Sequence, residues 1–584
     1  MSNVGGNISA RAEWLAKAHK SITEANSATT KFASSSSAVS NYNVCKSVEV
    51  LCGPGQYLPM LSDQIRSPNH VAVASLEEVH HATQQTSYIW LSWSTQRHAF
   101  SPHFTMVVSG VLSRIVFKIL LAGLGYQILM VASMSLQSGL LNGASSKWSS
   151  AGRPILSERG IKLVEDVRKP HDFGYNATLY DKSLSPDGII KLATAENSLL
   201  NTELLKYFNS HFKLTPSHLK YRSSLVSGYE NSTEDILPSY YTTYFKPRIP
   251  IKSEHCVHAD GIGSLLAQIF WALCGVGDGV LMATPYYDSY PRDIVYPAQA
   301  RVIPAYVPAD IDPLSKETIP YLRKELENSA NKIRVIILCN PHNPLANAYP
   351  EEMLVEYAKL AEEFNAHLLV DEVYGLQVFS SRYVPNPTPF KSILSIDLPS
   401  SIDLSRIHVV LGPTKDFGSS GLKLGSLISQ NNPDLLTSVQ RAVQAIPMSS
   451  ATDALFTAVL GDVEFREWFL EENRNRLRVA FERVGDWCTF HKLPFVPASA
   501  GVFFMIDLEP VLPYASTPYE RAVKGFEMMR TAGVYLVPTS ISEDSVGTRY
   551  RMTFTLPPDI MTLALRRIEK AFGLEGWPGF GNVA

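Results

Sequence analysis

The apolar positions of this chain change their period, and each change marks an element. Val335–Cys339 (VIILC) and His367–Val370 (HLLV) are short apolar runs, the pattern of buried strands. Between them, after Pro350, Met353, Leu354, Tyr357, Leu360, Ala361 and Phe364 recur on one helical stripe. Strand, helix, strand is a βαβ unit, which predicts a parallel sheet covered by helices. A third apolar run begins at Ile407 and ends in Gly412-Pro413, where the chain must turn. Helical spacing returns at Ser264–Leu273, at Glu464–Val484 and at Asp559–Phe572, and Ala500–Leu508 reads as a further strand. The aromatics of the second of these helices (Phe465, Trp468, Phe469, Phe481) are most simply core.

Residues 1–150 have a different texture. Ser34–Ser40 lies in a Ser/Ala/Thr-rich stretch without apolar periodicity, expected to be disordered. The segment 104–141 is apolar, and Ile119–Leu136 carries no charge over about one bilayer-spanning length. It reads as a membrane helix, as a buried or docking helix, or as an extension unrelated to the rest of the chain. Gly123, Gly125, Gln127 and several serines lower its hydropathy, and Arg114 and Lys118 flank only one end. The extreme N-terminus lacks a secretory-type apolar core, so no signal peptide is expected. A steady α/β pattern begins near Leu156.

Three polar clusters follow three strands: Asn340–Asn343, Asp371 and Lys415. Open parallel sheets gather their active residues at the carboxyl ends of strands. Lys415, with Gly412, Gly418 and Gly421 around it, is delivered into a confined turn. Such a lysine is either a solvated surface charge or an amine that condenses with a carbonyl cofactor. The glycine turn Gly261–Ser264, opening a helix, suits a phosphate group. Composition narrows the partners. A net charge of −3 over 584 residues, without basic blocks, points away from nucleic acid and from anionic membrane surfaces. Hydrophobic content of 45% and charged content of 18% describe a globular chain long enough for two or more domains. Six scattered cysteines lack zinc-ligand spacing and suit buried thiols in a reducing, cytoplasmic setting, and no metal site is expected.

The segments SPDGIIKLATAENSLL (185–200), WALCGVGDGVLMATPYYDSY (271–290), VIILCNPHNPLANAYP (335–350), LLVDEVYGLQVF (368–379), TKDFGSSGLKLG (414–425) and RYRMTFTLPPD (549–559) occur in one order. Together they resemble the class I/II aminotransferase family of fold-type I pyridoxal-phosphate enzymes. Within it they are most similar to the 1-aminocyclopropane-1-carboxylate synthase-like branch, especially its fungal members. The resemblance implies an α/β fold, with a mostly parallel seven-stranded sheet flanked by helices in a large cofactor-binding domain (236–499). A smaller α+β domain would combine 151–235 with 500–584. It also implies a homodimer and pyridoxal 5'-phosphate as cofactor.

By the same resemblance, Lys415 holds the cofactor and then moves the substrate Cα proton. Asp371 pairs with the ring nitrogen, a strand-end cap being its plainer alternative. Tyr374 and Asn343 donate to the ring oxygen, and Tyr287 rather than Tyr286 stacks on the ring. Ile262, Gly263, Ser264 and Lys423 hold the phosphate. Arg551 clamps the substrate carboxylate, with Arg549 as backup. Glu196 and Asn197 belong to a loop closing over substrate, and Tyr221 is lent across the dimer interface. Three departures stand out: Lys423 where arginine is usual, Thr414 in place of serine, and an altered segment Ser223–Asp235. The expected activity is transamination of an amino acid or amino-acid-derived intermediate in fungal secondary metabolism. A pyridoxal-phosphate carbon–sulfur lyase or cyclopropane-forming eliminase is the alternative chemistry. A catalytically silent scaffold, or a membrane-associated form of the chain, is an alternative of another kind.

Overall fold

The computed structural model describes residues 156–167, 178–220, 232–536, 538–539 and 548–580. The apolar segment 104–141, Cys45, Cys52 and Tyr221 lie outside the described residues. Among the described residues the strands are β1 (Ile190–Lys191), β2 (Cys256–Ala259), β3 (Gly279–Ala283), β4 (Arg301–Ala305), β5 (Ile333–Cys339), β6 (His367–Asp371), β7 (Ile407–Leu411), β8 (Gly425–Ile428), β9 (Phe495–Val496), β10 (Phe503–Asp507), β11 (Val534–Tyr535) and β12 (Arg549–Thr553). Five helices position or pack against the cavity-forming strands: α1 (Ile262–Leu273), α2 (Tyr290–Ala298), α3 (Glu351–Glu363), α4 (Pro413–Asp416) and α5 (Val463–Phe490).

Seven strands form one sheet in the order β2-β8-β7-β6-β5-β3-β4, parallel except for β8, which runs against both neighbours. The residues of β3 and β7 are buried throughout, because helices cover both faces. Alternate residues feed two cores. Ile336, Leu338, Leu368 and Val370 join the cluster that includes Met353, Leu354 and Tyr357 of α3, while Val335, Ile337 and Leu369 join Leu265 and Ile269 of α1. A third core surrounds the antiparallel sheet β12-β10-β9, where Leu477, Phe481 and Trp487 of α5 meet Phe504 and Met552.

Register decides where chemistry can gather. Cys339 pairs with Asp371, and Asp371 with Val410, so β5, β6 and β7 end level with one another. Asn340, Asp371 and the turn after Leu411 therefore emerge side by side. That turn is tight, as expected. Gly412-Pro413 leads directly into the one-turn helix α4, with Pro413 at its first position. A Cβ on Gly412 would sit 2.6 Å from the Leu424 carbonyl oxygen, so only glycine allows the approach. One aromatic of α5 also departs from expectation: Trp468 is 43% exposed, because it lies on the flank beside the buried Phe469. Among the described residues no helix is long and apolar enough to cross a membrane.

Candidate active site

A cavity of about 980 Å³ opens at this level edge of the sheet. It is lined by Lys415, Asp371, Asn343, Tyr374, Tyr287, Ile262, Gly263, Ser264, Lys423, Glu196 and Arg551. Candidates widely scattered in sequence thus line one cavity. Asn197 does not join them. Its side chain is buried and turned inward, with Nδ2 donating to Asn473 Oδ1 at 2.7 Å.

Lys415 sits on α4 with its Nζ donating to the Ala195 carbonyl at 2.8 Å and to Ser420 Oγ at 3.1 Å. Its main-chain oxygen accepts from the Gln377 side chain. Burial lowers its pKa to about 8, helped by Arg551 and Lys423 and opposed by Glu196 and Asp371. A substantial fraction of the amine is therefore neutral near physiological pH, the state in which nitrogen attacks a carbonyl.

Asp371 is the last residue of β6. Its Oδ1 accepts from the Val373 N–H at 3.2 Å and its Oδ2 from the Tyr290 hydroxyl at 2.8 Å. Burial raises its pKa to about 6, against these two hydrogen bonds and the nearby Lys415. The carboxylate remains mostly ionised at neutral pH and can face a cationic ring nitrogen. The next residue, Glu372, turns away and accepts from the Ile393 N–H.

Arg551 enters from β12. Its guanidinium donates to Asn343 Oδ1 at 3.0 Å and to the Ala193 carbonyl at 2.7 Å, and lies over Phe503 at 5.1 Å and Tyr287 at 6.0 Å. With its oxygen so held, Asn343 keeps its NH2 end as donor. Arg549 starts from the same face of β12 but reaches Asp507 at 4.0 Å instead, at the exposed end of the strand. Tyr374 is buried with its ring edge-on to Phe503 at 5.3 Å.

At the far end of the cavity, Gly261 caps α1 with φ +83°, a backbone state that favours glycine. The first turn of α1, with Ile262, Gly263 and Ser264, lines this end of the cavity, and a helix N-terminus is a setting suited to anions. Lys423, itself left-handed at φ +54°, lays its Cδ 3.4 Å from where a Cβ of Gly261 would stand. Asp293 closes this end; burial raises its pKa and Arg292 opposes the rise.

Sequence reasoning missed Tyr290, Ser420 and the Ala195 carbonyl. The one available signal was the third tyrosine of PYYDSY, three residues after Tyr287, at the start of α2. The contact between Lys415 and Ala195 has no local signature, since it joins segments 220 residues apart.

The model of the family described as aminotransferase class I and II matches residues 218–568. A probable aminotransferase of Aspergillus oryzae, aclI, is 30% identical over 427 residues, covering 72% of this chain and 98% of that one. The human 1-aminocyclopropane-1-carboxylate synthase-like protein 1 is 30% identical over 381 residues, covering 62% of this chain and 73% of its own. Among solved structures, an aspartate aminotransferase from Thermus thermophilus with maleate aligns with a TM-score of 0.53 at 17% identity, covering 72% of this chain and all of that one (100%), which establishes the fold. The chain therefore belongs to the class I and II aminotransferase family, whose members depend on pyridoxal phosphate.

Proposed function

We propose that this chain is a pyridoxal 5'-phosphate-dependent aminotransferase acting on an amino acid or an amino-acid-derived intermediate, working as a homodimer in the cytoplasm. The observation that carries the reading is the Lys415 amine, with its pKa lowered to about 8 by burial, sharing one cavity with Asp371 and the N-terminus of α1. These residues fit the cofactor. An amine answers its aldehyde, a carboxylate its ring nitrogen, a tyrosine its ring face, and a lysine with helix N–H groups its phosphate.

The bound cofactor supplies an aldehyde for amines and an aromatic system that accepts the electron pair left at the substrate Cα. The chain's own residues do the rest. Lys415 attaches the cofactor and, once released, removes and returns the Cα proton. Asp371 holds positive charge on the ring nitrogen, Tyr287 lies against the ring, and Tyr374 with Asn343 addresses the ring oxygen. Ile262, Gly263, Ser264 and Lys423 bind the phosphate. Arg551 binds the α-carboxylate of the substrate. Glu196, in the loop beside Lys415, borders the substrate space, and Asn197 fixes that loop from within. Tyr221 is read as the contribution of one protomer to its partner's site. The smaller domain, 151–235 with 500–584, would carry the Arg551 side of the cavity and 236–499 the cofactor side. The fungal branch of the resemblance supports a role in secondary metabolism.

Elimination of a sulfur leaving group draws on the same residues, so the test must separate the outcomes. Borohydride reduction and mass spectrometry should find the cofactor on the peptide bearing Lys415. Keto acid that forms only when an amino acceptor is present supports transamination. Keto acid with ammonia and thiol in its absence would make the chain a lyase. No cofactor on Lys415 would make it a silent scaffold.

A further inference from the structure

Tyr290 opens α2 and is 1% exposed. Packing alone would accept a phenylalanine there, so the hydroxyl is the feature that requires an account. A phenol shut in a core takes an acceptor, and here the acceptor is Asp371 Oδ2 at 2.8 Å. The other oxygen of that carboxylate is tied to the Val373 N–H at 3.2 Å. Two donors from two directions fix the plane of the Asp371 carboxylate. The ring of Tyr290 also meets Tyr287 edge-on, with centroids 5.2 Å apart and planes at 88°. One side chain therefore touches both the carboxylate and the aromatic assigned to the cofactor ring.

We infer that Tyr290 is a positioning residue of this site: its hydroxyl holds the Asp371 carboxylate toward the ring nitrogen of the cofactor, and its ring edge steadies Tyr287 against the ring face. The inference rests on the pyridoxal-phosphate reading of the site. Its electrical consequence comes from the groups around Asp371. Lys415 and the Tyr290 hydrogen bond favour the charged carboxylate, and burial with Asp293 opposes it. Glu372, Tyr374 and the buried Cys339 thiol, the last within reach of the Tyr290 hydroxyl, complete the titratable surroundings. Removing the phenol oxygen tips Asp371 toward its protonated form, and a neutral acid no longer holds a proton on the ring nitrogen.

The test is a double-mutant cycle on cofactor binding, read by titrating the apoprotein with pyridoxal phosphate across pH. Tyr290→Phe should weaken binding about tenfold and move the acidic limb of the binding profile to higher pH. In an Asp371→Asn background the same substitution should have no further effect on affinity. Unchanged binding by Tyr290→Phe, or an equal loss in both backgrounds, would overturn the inference. So would a Tyr290→Phe apoprotein that melts far below the wild type, since the hydroxyl would then serve the fold. Failure of the underlying reading is separately visible, because the wild-type chain would then carry no cofactor on Lys415 after borohydride treatment.

Discussion

The amine of Lys415 and the main-chain oxygen of Ala195 lie 2.8 Å apart, although 220 residues separate them in sequence. The stretch before Glu196 thereby contributes a main-chain acceptor to the lysine. Burial of the amine is why its pKa falls to about 8. Because burial penalises the ammonium form, the reactive neutral amine gains population as pH rises and saturates just above that value. Covalent uptake of pyridoxal phosphate, followed by absorbance in a stopped-flow instrument, should therefore speed up with pH and level off above about 8. A midpoint near the ordinary lysine value of about 10.5 would contradict the geometry.

On the proposed reading, replacing Lys415 by alanine removes both the attachment point and the proton carrier. The variant should bind the cofactor without a covalent link and lose about a thousandfold or more in kcat. Mass spectrometry after borohydride reduction, together with steady-state rates, checks both parts.

Arg551→Lys keeps the charge and loses the fork that spans Asn343 and Ala193. The KM for the amino acid should rise about tenfold to a hundredfold, with a smaller fall in kcat. Arg549→Lys, at the Asp507 end of the strand, should leave KM near the wild-type value, and initial-rate kinetics of the pair decide the assignment.

Gly261→Ala forces a side chain into a left-handed backbone position and against the Lys423 stem. Affinity for pyridoxal phosphate should drop about tenfold or more, while binding of pyridoxal, which lacks the phosphate, should change little. Fluorescence titrations with the two compounds give the comparison.

Asp416 follows Lys415 and is buried, with burial raising its pKa to about 8 despite the Tyr240 hydroxyl. Its Oδ1 has no hydrogen-bond partner among the described residues. A folded-state pKa above the unfolded one adds stability at low pH, and that stability is lost as pH climbs from about 4 toward about 8. Asp416→Asn should flatten the fall in melting temperature over that window and melt a few degrees above the wild type at its upper end. Glu372, raised by burial in the same way, leaves part of the slope in place. Melting curves taken across the window measure the difference.

Much of the site was legible because strand ends advertise themselves. Asn343, Asp371 and Lys415 each follow an apolar run, and the level register of β5, β6 and β7 then makes them neighbours. Strand periodicity alone could not separate Arg551 from Arg549: both share a face of β12, the family resemblance favoured Arg551, and the contacts with Asn343 and Asp507 depend on what lies opposite. Asn197 reads as polar and loop-borne, yet Asn473 of the distant α5 captures its amide and draws it inward. Tyr290 was hidden for the opposite reason. At a helix start a tyrosine that packs as core cannot be told in sequence from one that holds a polar partner, and only the Asp371 oxygen beside its hydroxyl reveals more.

Gly425 begins β8, and a Cβ there would lie 2.7 Å from the carbonyl carbon of Gly261 and the nitrogen of Ile262. The strand that follows the lysine turn thus meets the first turn of α1 main chain on main chain. Any residue larger than glycine at 425 has to prise that contact open, so its effect should reach the cavity although Gly425 does not line it.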